Sequence, residues 1–349
     1  MQAKSTTLAF SRLWDLNKAT ELMLHILFIA HTIITHFTLA WKQQTILKML
    51  ALVENRFDHF SENIFHQNKI AEDEEKNNSR YLTAITVIIS SVHLSFIITS
   101  KVYMINLPPE QKSLLYPVTV PFEMSNTVYY IVYLLQLITT FFEGTTHITS
   151  IAICTGFMNI LCAEYTVLGK SFRHMGKLGR QRALQCPGTE VALGWTPARH
   201  HDYHTQALLR SFVDHHILMI NFHKALQSTF AIPILEMFLN CEIMLCTCCF
   251  QMFKMYQKGE FEKVSKLLCM FFALLAHEFV YFWFGSRVTE KVQSFCYDVY
   301  ACDWHERSVS FKRSYRIVLE RIKRGVTIQA LVLPVNLITF AKVLQIVKG

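Results

Sequence analysis

Residues 294–349 read SFCYDVYACDWHERSVSFKRSYRIVLERIKRGVTIQALVLPVNLITFAKVLQIVKG, a basic amphipathic run that gives way to an apolar stretch from Val326 to Val347. At 1.5 Å per residue such a stretch is long enough to cross a hydrocarbon core of about 30 Å. The sequence therefore predicts that the chain closes inside a membrane, as one apolar helix fed by a charged segment. Nine Lys or Arg between Arg287 and Arg324 mark that segment as one that stays on the cytosolic side.

Working upstream, the same alternation of apolar runs and basic loops repeats. Apolar runs at about 22–40, 82–100, 127–152, 230–253, 267–286 and 326–347 give six candidate spans, all of helical length. Hydrophobic residues make up 52% of the chain and charged ones 17%, with 27 Phe, a balance foreign to a soluble protein of this size. The fold class that follows is an all-α polytopic transmembrane bundle in a single membrane domain. The net charge of +8 is scattered between apolar runs and not gathered on one face with interleaved aromatics, which argues against a nucleic-acid partner. Cys154, Cys241, Cys246, Cys248, Cys249 and Cys269 fall inside apolar runs and read as small core hydrophobes, not as a disulfide framework.

The loops fix an orientation. Segments 42–80, 168–229 and 287–325 carry six, eight and nine Lys or Arg, whereas 1–21, 102–126, 254–263 and 348–349 carry three, one, three and one. The excess alternates strictly, which places the three rich loops in the cytosol and the C-terminus outside. That topology is the reverse of a G-protein-coupled receptor.

Candidate chemistry is sparse. His200, His201, His204, His215, His216 and His223 form a dense set, but their spacing matches no metal pattern, so neither a metal nor another cofactor is expected. His277-Glu278 begins an HExxH pattern that Tyr281 breaks. A multi-pass enzyme needs paired carboxylates or a His constellation at one membrane face, and neither emerges, so the chain reads as no enzyme. A transporter of inverted repeats needs matched helix breakers, and Gly144, Pro233 and Pro334 do not pair. Glu143, Glu236, Glu242, Glu278 and Lys342 lie in apolar runs and must face protein or water, since a charge at mid-bilayer costs roughly 2.5–3.5 kcal/mol even on the lenient insertion scale. Tyr129, Tyr133 and Gln136 share one helical face at the outer end of the third run. A mostly apolar wall with a few polar handles suits a small volatile apolar ligand, and Phe28, Ser95, Tyr103 and Phe272 fall in the same outer halves.

The order of these pieces resembles the insect odorant receptors. The resemblance rests on Pro121 through Gln136 with its YYxxYxxQ, on His215-His216-Ile217-Leu218 followed by Phe230, Pro233, Phe238 and Cys246, and on Tyr300, Trp304, the basic helix and Thr339-Phe340. It covers about residues 20–345. The resemblance implies a seven-helix receptor of inverted topology that assembles with an odorant co-receptor subunit into an odorant-gated cation channel in the plasma membrane of sensory neurons. It makes the six runs the family's second through seventh helices and implies that the first helix and the outermost C-terminal stretch are missing here. On that reading the 349-residue chain, co-expressed with the co-receptor, is expected to give weak or no odorant-evoked current. The related gustatory receptors end in a TYxxxxxQF-like motif, which Thr339-Phe340 with Gln345 misses by one residue.

Overall fold

A computed structural model describes residues 16–57, 125–185 and 194–348, with scattered positions between 76 and 91. The elements are α1 (Leu16–Trp41), α2 (Gln43–Leu52) with a π turn at Val53–Phe57, α3 (Asn126–Arg173), α4 (Met175–Gln185), α5 (Pro197–Gln257), α6 (Phe261–Tyr300), a 3₁₀ turn at Trp304–Glu306, α7 (Val309–Lys323), a hairpin of β1 (Gln329–Ala330) and β2 (Leu333–Pro334), and α8 (Leu337–Lys348). Polar caps start the long helices. Ser125 Oγ accepts from the Val128 N–H at 3.3 Å, and Thr196 Oγ1 accepts from the Arg199 N–H at 3.4 Å with Pro197 at the first helical position. Gly259, at φ +73, turns the chain between α5 and α6.

α3, α5 and α6 run for 48, 61 and 40 residues, about 72, 92 and 60 Å at 1.5 Å per residue. Each contains a stretch long and apolar enough to cross a membrane, while the apolar part of α1, Ile26–Trp41, is shorter. α6 packs along α3 and α5, and α1 lies against α5 and α3. The helices thus continue far past the apolar runs at 127–152 and 230–253. The 82–100 run is described only at scattered positions.

The bundle has two levels of opposite polarity. In the upper half of α3, Tyr130, Ile131, Leu134, Leu135, Phe141 and Phe142 are exposed while Gln136, Thr140, His147 and Ser150 are buried. Lipid accepts that apolar outer face, while the helices satisfy their backbone groups internally and turn these polar side chains inward. Lower down the order is that of a water-soluble protein. Phe172 meets Phe212, Phe295 and Tyr315 at ring centroid distances of 5.0, 5.8 and 6.3 Å, and all four side chains are fully buried. The Tyr315 hydroxyl donates to the Val299 carbonyl at 2.7 Å, and burial pushes its pKa up. Close-packed aromatic area of this kind is what holds the three long helices together below the membrane.

The single apolar helix expected over 326–347 is corrected by the structure. Helix α8 begins only at Leu337, is 12 residues long, and spans about 18 Å, too short to cross a membrane alone. Before it, Ala330 pairs with Leu333 and Gln329 with Pro334 in an antiparallel hairpin, whose turn holds Leu331 at φ 57. Pro334 supplies no N–H for a helix, and Asn336 caps the new one by accepting from the Thr339 N–H at 2.9 Å. The hairpin docks on α6, where a Cβ added at Gly285 would lie 2.1 Å from the Val335 carbonyl oxygen and Ser286 Oγ accepts from the Leu337 N–H at 2.7 Å. A second correction concerns cysteine: Cys154, Cys241 and Cys248 are buried, but Cys246, Cys249 and Cys269 face outward. Inside a lipid-facing run, an apolar neighbourhood does not imply a core position.

Candidate functional site

Four helices turn polar and aromatic side chains inward in the apolar upper half. α1 presents Phe28, His31 and Thr35, α3 presents Tyr133, Gln136, Thr140 and His147, α5 presents Glu236 and Asn240, and α6 presents His277. The spacing explains the grouping: on α3, Tyr133, Gln136, Thr140 and His147 follow one another at three, four and seven residues, a single stripe of a 3.6-residue helix.

The lower end of that stripe is a knot of imidazoles. The His31 ring lies 4.4 Å from that of His147 and 6.4 Å from that of His277, and His147 lies 5.3 Å from His277. His31 Nδ1 hydrogen-bonds a carboxylate oxygen of Glu236, whose other oxygen accepts from Asn240 Nδ2. The other His31 nitrogen meets Thr35 Oγ1 at 3.4 Å. A carboxylate on α5 is thereby paired across to α1, which resolves how Glu236 is tolerated in an apolar run. Phe28 packs edge-on to His147 at 6.1 Å.

The upper end is aromatic. Tyr133 stacks on Tyr129 with centroids 6.1 Å apart and planes 18° apart. Its hydroxyl is buried and, among the described residues, has no hydrogen-bond partner, and Gln136 is buried one turn below. A buried hydroxyl left unmade carries a desolvation penalty of about 1–3 kcal/mol, so this group is primed to accept a partner. The arrangement is an apolar and aromatic wall with a buried hydroxyl, set above a knot of histidine, carboxylate and amide.

Of the residues that the sequence singles out, Phe28, Tyr133 and Gln136 lie along this stripe or beside it. Phe272 does not: it is 60% exposed on the outer face of α6, against Phe271. The reason is phase: the inward residues of the run from Leu267 to Ser286 are His277 and the buried Glu278, five and six positions on, and at about 100° per residue they leave Phe272 on the opposite face. Ser95 and Tyr103 lie outside the described residues. Sequence reasoning passed over His31, His147 and Asn240, although an imidazole or amide inside an apolar run is itself a signal of an inward face. Glu278 is wholly buried, whereas Lys342 is exposed.

The second histidine set sits on the lower part of α5. His200 and His204 share a 3.1 Å hydrogen bond between their Nε2 atoms, and His215 Nε2 contacts Glu164 at 2.8 Å. Burial, followed by Arg321, holds His216 down to about 4, and burial followed by His200 lowers His204. His216 is thus a neutral, packed imidazole near pH 7. Among the described residues, no three His, Cys, Asp or Glu converge as a metal site.

The family described as 7tm Odorant receptor matches residues 15–347 of the chain. No curated protein matches it. Among solved structures it is similar to the insect olfactory receptor OR5 from Machilis hrabei, with a TM-score of 0.77 at 10% identity, over 95% of this chain and 80% of that one. The same receptor in complex with eugenol superposes with a TM-score of 0.75 at 11% identity and the same two coverages. Identities this low carry the fold, a helical transmembrane bundle, and leave the ligand open.

Proposed function

Since the chain belongs to the insect odorant receptor family, a family of multi-pass membrane receptors and not of enzymes, we propose that it is the ligand-binding subunit of a heteromeric odorant-gated cation channel. In this reading it sits in the plasma membrane of sensory neurons beside a co-receptor subunit, with the 42–80, 168–229 and 287–325 loops in the cytosol. The ligand is a small volatile molecule, the class to which the eugenol bound by the Machilis hrabei receptor belongs. Phe28, Tyr133 and Gln136 line its site, Tyr133 and Gln136 as polar handles. The observation that carries the reading is the family match over residues 15–347, joined to an apolar half-bundle with an unanswered hydroxyl inside it.

The ligand acts by differential affinity. It shifts the closed–open equilibrium only by as much as it binds the open arrangement more tightly, so contacts made equally in both states do not gate. Helices α1, α3, α5 and α6 all reach the site, so a change in their mutual packing is the readable event.

The test is electrophysiological. The chain is expressed with and without the co-receptor, an odorant panel is applied, and Phe28→Ala and Gln136→Ala are compared with the parent at matched surface abundance. Odorant-evoked current that requires the partner, and a reordered odorant ranking in the variants, is the expected result. An unchanged ranking at normal abundance would place the site elsewhere. Tags after Gly349 and within Glu72 to Lys76 check the orientation: the first should stain intact cells, the second only permeabilised ones.

A further inference from the structure

The part of α6 just below its apolar run borders a cleft that the ligand site does not use. The cleft encloses about 260 Å³ and is lined by Thr289, Val292, Gln293 and Cys296 of α6 and by Lys323, Arg324 and the following Gly325 to Thr327. None of the lining residues is acidic. A smaller neighbouring hollow shares the Val292, Gly325 and Val326 wall and adds Arg321. Two cations at the end of α7, Lys323 and Arg324, therefore border the cleft, and a third, Arg321, borders the hollow beside it.

The depth of the recess matters as much as its charge. The apolar run of α6 ends at Ser286. Thr289 and Gln293 lie three and seven residues beyond it, about 4.5 and 10.5 Å further along the helix axis. The polar zone between hydrocarbon edge and bulk water is about 5–8 Å thick on each side, so the mouth of the cleft stands at headgroup depth.

The chemistry of the lining suits an anion. Lys323 is paired with Glu320 at 3.0 Å, but both side chains are mostly exposed, and such a pair is worth little against a better partner. Thr327 Oγ1 accepts from Gln329 at 3.5 Å, which leaves its own hydrogen able to donate, and Gln293 adds an amide. Arg287 is held over the rings of Trp283 and Tyr81, at 5.4 and 5.8 Å from their centroids, so the next cation up the helix is committed elsewhere. His216 on the facing helix is kept neutral by its burial and adds no charge of its own.

We propose that this cleft holds the phosphate-bearing headgroup of an anionic lipid of the cytosolic leaflet, with Lys323 and Arg324 as its cationic walls and Gln293 and Thr327 as hydrogen-bond donors. The assignment to that leaflet rests on the reading that places residues 287–325 in the cytosol. A free soluble phosphate offers the same chemistry, but the headgroup depth favours the tethered source.

Native mass spectrometry of the detergent-purified receptor reads the site directly. The protein is delipidated and exposed to phosphatidylcholine alone, to phosphatidylcholine with phosphatidylserine, and to that mixture with excess inorganic phosphate. Selective retention of phosphatidylserine is expected, with a roughly thirtyfold loss in the double variant Lys323→Gln, Arg324→Gln, from about the leverage of one surface cation each. Lys258→Gln, in the α5–α6 turn at the other end of the helix, should retain it fully. Equal retention by the double variant, or equal retention of phosphatidylcholine, would overturn the site. Full displacement by inorganic phosphate would overturn the lipid as its source. Detergent has no sides, so the site and its leaflet fail separately. A tag that places residues 287–325 outside, with the variant still losing lipid, leaves the site and removes only its cytosolic assignment.

Discussion

Replacing Tyr133 by Phe removes a single oxygen atom and separates a binding role from a packing one. The ring stacked on Tyr129 is preserved, and so is the volume, so no cavity opens. Because the hydroxyl is buried with no partner among the described residues, its loss relieves a penalty of about 1–3 kcal/mol, and the thermal midpoint of the purified receptor should rise. An odorant whose oxygen bonds that hydroxyl loses a net interaction of about 0.5–1.5 kcal/mol, a roughly two- to thirteenfold increase in half-maximal concentration. The assay uses pairs of odorants with one carbon skeleton, an alcohol and its hydrocarbon, on cells expressing the variant with the co-receptor. Only the alcohol should weaken. Equal weakening of both members of each pair, or a lower midpoint, would refute the reasoning, since either result assigns the hydroxyl to a hidden structural contact.

Glu236→Ala should be severe, because it leaves buried His31 and half-buried Asn240 without their shared acceptor; a loss of roughly 3–5 kcal/mol would appear as a collapse of surface abundance and of the thermal midpoint. Gly285→Ala should cost more than the usual 1–3 kcal/mol of overpacking, because the obstructing atom is the Val335 backbone carbonyl and not a side chain that can swing away; normal stability in a detergent melt would contradict the docked hairpin. His216, held down to about 4 against an ordinary 6.5, gives the pH dependence its sign. The folded protein binds fewer protons than the unfolded chain between those values, so this contribution is complete above about 6.5 and is lost as pH falls to about 4. At most about 3 kcal/mol is involved, and His216→Phe should flatten the acid limb of a stability profile.

The long helices were legible wherever hydropathy alone decides, as in the runs around 127–152, 230–253 and 267–286. Their continuation below the membrane was not, because there the code changes from total apolarity to a periodic stripe. Leu208, Phe212, Met219 and Phe222 are buried on one side of α5 while Arg210 and Ile217 stand outward, a pattern that a count of apolar residues reads as a mixed loop. The 326–347 run misled in the opposite sense. Its apolar residues are buried against protein at Ile328, Ala330 and Val335 and exposed at Val332, so the run is apolar without being a span. Pro334 followed by Asn336 and Thr339 was the local signal of a break and a fresh cap. The candidate site was half legible: Tyr133 and Gln136 follow from helical spacing, whereas the His31, His147 and Glu236 knot depends on which helices become neighbours, information that no single run contains.

The length of α5 has a mechanical consequence. Pro233 interrupts the backbone hydrogen bonding of this 61-residue rod three residues from Glu236, at the level where the ionic knot ties α5 to α1. From there to Pro197 the rod extends about 54 Å. A reorientation of only about 3° at that joint displaces the far end by roughly 3 Å, enough to move one packed side chain past another. The molecule is therefore geared: an angular change too small to open a space for an odorant is large by the time it arrives at the far end, and whatever grips that end sets the stiffness against which the signal must work.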